Sequence, residues 1–385
     1  MMFKARVERV RFWMFNQALP LWGDIGIDRI HGGYTEQLKP DATPDDPGYK
    51  RIRVIGRQIY VFAHAYCLGW KPGLALAEHG YNFLVKHAWL GDDAGWARRL
   101  ATNGQVIDST PDLYDNAFAL FALAWFHKAS GRQEAISWAL KTVSFIETRL
   151  RHPSGIGFLH EKPAVGPRQQ NPHMHLLEAL LACFETCPHP EFETLAREVV
   201  TLFETKLFDQ DASCLPEYFD ESLVALSNET GRITEPGHQL EWAWILANAN
   251  RLLGIDTFKT ARALITSAEA DGVDPETFAT YNQVRSDGAP LDKGSRTWPN
   301  TERIKAHIAA FEMFGTDPRE AIAQSVDVLF SNYLNVPIKG TWIDTFSHDW
   351  VPKQGPIPAS TLYHVFLAFA EILRVADRLE EGFRK

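Results

Sequence analysis

Apolar residues recur at helical spacing along the whole chain, in two alternating kinds of segment. One kind is apolar nearly all round and rich in Ala, Leu and aromatic residues: 57–70, 114–128, 173–185, 238–253, 301–314 and 361–379. The other carries its charges on one face: 7–19, 73–87, 133–150, 191–208, 256–270 and 318–334. A helix apolar all round is buried, and one with a single apolar stripe lies at the surface. The pattern therefore predicts six buried helices, each preceded by a surface helix.

Polar residues near the starts of the buried segments give a period. Arg57, Asp115, His175, His238, Glu302 and His364 follow one another at steps of 58, 60, 63, 64 and 62 residues. Self-similarity at a fixed period marks a repeat architecture. An open stack of helix hairpins needs polar capping units, and neither end of the chain has one. The expected fold is all-α, an (α/α)6 barrel of six helix hairpins forming a single domain over 1–385. Four connections from surface to buried helix carry Gly close to an aromatic: Gly32-Gly33-Tyr34, Gly95-Trp96, Gly157-Phe158 and Gly340-Thr341-Trp342. The fourth connection has Pro216-Glu217-Tyr218 instead, and the fifth, 274–298, is long, polar and outside the pattern. Short strands are expected in these loops, at 33–38 and 156–161. All six connections emerge at the N-terminal ends of the buried helices, which makes that end the functional face.

Charge narrows the partners. With 39 basic and 48 acidic residues the net charge is −9, which argues against nucleic acid or an anionic membrane. The longest apolar run, 117–126, is too short to span a bilayer, and the N-terminus has no uninterrupted apolar core of a secretory signal. Cys67, Cys183, Cys187 and Cys214 lack C-x-x-C spacing and read as small buried hydrophobes. A reducing cytoplasm fits them. The 12 Trp, 10 Tyr, 24 Phe and 14 His suit a lined cavity, or simply a large core.

The buried segments are not purely apolar. Arg57 sits in I-G-R-Q-I-Y, His173 and His175 in N-P-H-M-H-L-L-E, His238 and Glu241 in E-P-G-H-Q-L-E-W, Glu302 in W-P-N-T-E-R and His364 in S-T-L-Y-H-V-F. Charged groups at the starts of buried helices cost several kcal/mol unless paired or solvated. A water-filled central cavity accommodates them all. Each has a plain structural alternative: Glu241 could pair with Arg57, Trp298 could be core, and Asp115 could cap its helix. Six such residues at one period converge on one axis, which weakens those alternatives jointly.

Two histidines exchange protons near neutrality. Glu241, three residues after His238 and on the same helix face, can orient an imidazole. Arg57 can polarise a carbonyl or hold an enolate. No catalytic triad order, P-loop, dinucleotide fingerprint or H-E-x-x-H occurs in a convincing context, so no cofactor or metal is expected. His173 and His175 point roughly 200° apart on a helix, poorly placed for shared ligation. The constellation suggests proton transfer beside a carbonyl, with Trp and Tyr faces for a sugar.

Gly56-Arg57-Gln58, Asn171 through Glu178, Glu235-Pro236-Gly237-His238 with Glu241-Trp242, Trp298 with Glu302, and Tyr363-His364 together resemble the N-acylglucosamine 2-epimerase superfamily. The resemblance spans Gly32 to His364. It implies an (α/α)6 barrel and a catalytic set of His238, His364, Arg57, Glu241 and His175, with Tyr114, Asn171, Trp298 and Glu302 contacting sugar. Pro358-Ala359-Ser360-Thr361-Leu362-Tyr363-His364 resembles the mannose and sulfoquinovose isomerase branch more than the epimerases. The expectation is an aldose–ketose isomerase interconverting D-mannose, or a close analogue, and D-fructose through a cis-enediol, in a monomer or homodimer. The rivals are a 2-epimerase of N-acylglucosamine, cellobiose or mannose, a glycoside hydrolase using Asp115 with Glu241 or Glu302, and a non-catalytic binding toroid.

Overall fold

A computed structural model describes residues 2–381. The chain runs α1 (Met2–Phe12), α2 (Leu19–Asp24), α3 (Ile52–Cys67), α4 (Gly73–His87), α5 (Leu113–Ser130), α6 (Gln133–Phe145), α7 (Asn171–Thr186), α8 (Pro190–Leu202), α9 (Pro236–Leu253), α10 (Phe258–Gly272), α11 (Thr297–Phe314), α12 (Arg319–Val328) and α13 (Ser360–Glu381). From α3 onward the odd-numbered helices are the predicted buried ones. Each packs on the next: α3 on α5, α5 on α7, α7 on α9, α9 on α11, α11 on α13, and α13 back on α3. That last contact closes the ring, and the fold is an (α/α)6 barrel. The even-numbered helices, with α1 and α2 serving the first unit, form the outer layer. No helix among the described residues is long and apolar enough to cross a membrane.

The inner helices start earlier than the apolar pattern suggests. α3 begins at Ile52, a turn and a half before Arg57, and α11 at Thr297, before Trp298. Four outer helices end in π-helical stretches: Trp13–Ala18, between α1 and α2, then Ile146–Leu150, Phe203–Leu207 and Leu329–Tyr333. Three of these stretches lead directly into a connection on the functional face.

The connections form a crown over the inner-helix N-termini, each hydrogen-bonded to its neighbour. Tyr49–Arg51 pairs antiparallel with Arg99–Ala101, Arg168–Gln169 with Tyr218–Phe219, and Ile233–Thr234 with Gln283–Arg285. Ser295–Arg296 pairs with Thr345–Phe346, and Gln37–Leu38 with Ile357–Pro358. A bridge from Asp112 to Glu161 supplies the remaining link. The strands expected at 33–38 and 156–161 are shorter than that. Only Gln37–Leu38 is strand in the first, and the second holds isolated bridges at Phe158 and Glu161. In each, the chain curls back at once on the end of its outer helix, through Ile27↔Tyr34 and Arg151↔Phe158, leaving no extended run to pair. The fifth connection, expected to depart from the pattern, keeps the same turn through Val273↔Thr280 and then adds a hairpin.

The α3–α5 contact is close because position 56 is glycine. A Cβ there would lie 2.5 Å from the Phe118 carbonyl oxygen. That approach sets Arg57 against the start of α5.

Candidate active site

A cavity of about 430 Å³ opens under the crown. Every inner helix sends a polar or aromatic side chain into it: Arg57 from α3, Tyr114 from α5, Asn171 and His175 from α7, His238 and Glu241 from α9, Trp298 from α11 and His364 from α13. Eight of the nine residues predicted from the sequence thus meet in one place. The ninth, Glu302, does not line the cavity. It lies fully buried behind His364.

His238 and His364 flank Trp298. Their rings lie 5.0 and 5.5 Å from the indole, centroid to centroid. Gly237 makes this packing possible, since a Cβ there would lie 2.7 Å from the indole. The two histidines have different partners. His238 Nδ1 is 3.0 Å from Glu217 Oε1 and 3.7 Å from Glu235 Oε2. Burial opposes its charge, but Glu217 and Glu235 outweigh burial and hold its pKa up at about 9. It is an imidazolium at neutral pH. Asn171 completes the setting. Its Nδ2 faces His238 Nε2 at 3.2 Å, and its Oδ1 has no partner. A half-turn of the amide places that acceptor on the protonated nitrogen.

His364 Nδ1 is 2.8 Å from Glu302 Oε1. Burial, with Arg57 and Lys305 nearby, pushes its pKa well below the ordinary value, so its ring is neutral. His175 is also held neutral, chiefly by burial. Its Nδ1 lies 3.1 Å from Glu178 Oε2, and Glu178 accepts a second hydrogen bond from the Tyr363 hydroxyl. His173, two residues earlier, turns away. It accepts from the Phe158 amide and faces the Gln169 carbonyl, a structural role in the crown.

Arg57 is buried, and among the described residues no carboxylate lies within ion-pair distance of it. It donates to the Tyr114 hydroxyl at 2.8 Å, and its Nε has no partner. Phe118 and Tyr363 pack 4.3 and 5.1 Å from the guanidinium carbon. An unpaired buried cation on a cavity wall is a site prepared for an anion.

Four readings change. Glu241 does not pair with Arg57; its Oε1 lies 3.6 Å from Lys305. Glu217, not Glu241, orients His238. Glu302 supports His364 in place of touching sugar. Asp115 is fully buried outside the cavity, accepting from the Arg53 amide at 2.8 Å and its guanidinium at 2.6 Å, so it ties α3 to α5. Its helix cap is Asp112. Of the three carboxylates offered for the hydrolase reading, only Glu241 lines the cavity, which leaves that reading without a pair.

The sequence reading gave no site role to Glu217, Glu235, Glu178 or Lys305, although Glu178 and Glu235 fall within the motifs that carry the resemblance. Glu178 and Lys305 lie one helical turn after His175 and Glu302, and an acid or amine on the inward face of a buried helix was a usable signal. Glu217 sits in a loop 21 residues from His238, where no spacing rule applies. By spacing alone, His175, Glu178 and Glu241, or Glu241, Glu302 and His364, could share a cation. The Lys305 ammonium lies among these carboxylates, 2.5 Å from Glu302 Oε2, and supplies the positive charge there.

The family model for N-acylglucosamine 2-epimerase matches residues 32–368. The chain belongs to that family. A protein of Rhizobium meliloti named mannose-6-phosphate isomerase is 34% identical over 371 residues, covering 94% of this chain and 95% of its own. A solved D-mannose isomerase superposes with a TM-score of 0.83 at 21% identity, covering 97% of each chain. The cellobiose 2-epimerase of Spirochaeta thermophila gives 0.88 at 23% identity over 98% of each.

Proposed function

We propose that the protein is an aldose–ketose isomerase that interconverts D-mannose, or a close analogue, and D-fructose. The observation that carries this reading is the split between two histidines on one indole. A neutral His364 can accept a proton, and a cationic His238 can donate one. Environments that push two titratable groups apart assign base and acid.

The steps balance in protons. The hemiacetal opens as the O1 proton leaves and O5 gains one. His364 Nε2 then takes the C2 proton, while His238 gives its Nε2 proton to O1, producing the cis-enediol. Arg57, the unpaired cation on the cavity wall, holds the developing oxyanion. The O2 proton returns to His238, and His364 delivers its proton to C1, which yields the ketose. Trp298 offers a flat face to the sugar ring, and about 430 Å³ suits a small sugar.

Apart from Arg57, which is taken up by the developing oxyanion, the cavity favours an uncharged sugar over a phosphorylated one. Arg51 is bound by Glu36 and Arg296 by Glu235, while Asp344 adds a further carboxylate. A 6-phosphate would find these cations already neutralised.

A second reading, the 2-epimerase, draws on the same two histidines. They flank Trp298 from different helices, and epimerisation needs proton transfer at both faces of C2. The cellobiose 2-epimerases among the relatives agree with it. Incubation with D-mannose, D-mannose 6-phosphate, cellobiose and N-acetylmannosamine, followed by product NMR, separates the readings. The isomerase yields fructose from free mannose. Glucose from mannose, or a C2 epimer of the others, would replace it with the epimerase. No conversion of any of them would sink both.

A further inference from the structure

Behind the cavity one ammonium sits among buried carboxylates. Lys305 on α11 is completely buried, 2.5 Å from Glu302 Oε2 and 3.6 Å from Glu241 Oε1, with Glu178 adding to the field around it. It is not part of the cavity wall. Its nearest carboxylate, Glu302, is the one on which His364 Nδ1 rests.

That hydrogen bond has two forms. If Glu302 is ionised, Nδ1–H donates to it and Nε2 turns a lone pair toward the cavity. If Glu302 is protonated, its O–H donates to Nδ1 and Nε2 carries the hydrogen. The first form is a base, and the second is not. Burial and the nearby Glu241 push the Glu302 pKa well above the ordinary carboxylate range, and the Lys305 ammonium 2.5 Å away is the cation that opposes them. Among the described residues, no other lysine or arginine lies within ion-pair distance of Glu302. Other charged or titratable groups around His364 and Glu302 include Arg57 on α3, His175 and Glu178 on α7, His238 and Glu241 on α9, Tyr363 on α13 itself and Asp344 in the cavity wall.

We propose that Lys305 is a positioning residue that selects the tautomer of His364: its ammonium keeps Glu302 ionised, so that Nε2 of His364 faces the substrate without a proton. The proposal rests on His364 as the base. Removing the ammonium reverses the Glu302–His364 hydrogen bond and disarms the base without touching the sugar.

The test is ¹⁵N NMR of the sugar-free protein at neutral pH, with labelled histidine and His364 assigned by its absence in His364→Gln. The wild type should show a pyridine-type Nε2 and a pyrrole-type Nδ1 at His364. Lys305→Met should exchange the two types and lower kcat by about 10²-fold or more, the scale of general base catalysis, with KM little changed. Lys305→Arg, which keeps the charge, should keep the wild-type tautomer. A pyrrole-type Nε2 or an imidazolium at His364 in the wild type overturns the proposal. So does an unchanged tautomer in folded Lys305→Met. If that variant does not fold, the wild-type spectrum decides alone. The spectrum involves no substrate, so a protein that converts no sugar yet has the stated tautomer would sink the functional reading and leave this inference standing.

Discussion

His238 and His364 are the same side chain placed in opposite fields. Two carboxylates, Glu217 and Glu235, hold His238 cationic, while burial and the cations Arg57 and Lys305 hold His364 neutral. His238→Ala and His364→Ala should each cost about 10²–10⁴-fold in kcat with the fold intact, as circular dichroism and kinetics would show. A pKa raised to about 9 gives a definite sign. The stability His238 contributes is fully present below its unfolded value of about 6.5 and is lost as pH rises through about 9. Activity that needs the imidazolium falls over the same alkaline range. Glu217→Gln removes the larger stabilising charge, so the alkaline limb of kcat/KM should move to lower pH. Unmoved limbs would contradict the assignment. The candidate residues were legible because they break an apolar pattern: an Arg, a Glu and three histidines stand where a core helix needs none. Their partners were less legible. Glu217 reaches His238 from a loop, and only the folded chain shows that Glu241 turns toward Lys305.

At the scale of the element, two glycines set the site. Gly56 lets α3 approach α5, and Gly237 lets the Trp298 indole pack close to α9. Gly56→Ala meets backbone and should destabilise by about 1–3 kcal/mol in urea unfolding, the usual cost of overpacking. Gly237→Ala meets the indole itself. It should change tryptophan fluorescence and lower kcat/KM, with a smaller loss of stability than Gly56→Ala. Helix identity was readable from the 3.6-residue period, since each inner helix is long and apolar. Strand extent was not, because pairs such as Arg168–Gln169 with Tyr218–Phe219 are two residues long and depend on a neighbouring loop.

The ring as a whole explains why the six polar positions share a period. Each unit contributes an inner-helix N-terminus to one end of the barrel, and closure of α13 on α3 brings residues 307 positions apart, Arg57 and His364, to one cavity. The period of about sixty residues made the architecture legible, and the absence of capping units argued for closure. What the period could not show was depth. Arg57, His175, His238 and His364 reach the cavity, whereas Glu302 and Asp115, at the same phase of the repeat, are turned into the wall by Lys305 and Arg53.

The central claim is that His364 removes the hydrogen from C2 of a small sugar. ²H NMR of D-[2-²H]mannose incubated with the wild type and with His364→Ala tests it. The label should leave C2 in the wild type, appearing at C1 of fructose or in water, and stay on C2 in the variant. Label retained at C2 by the wild type, or released as fast by His364→Ala, would contradict it.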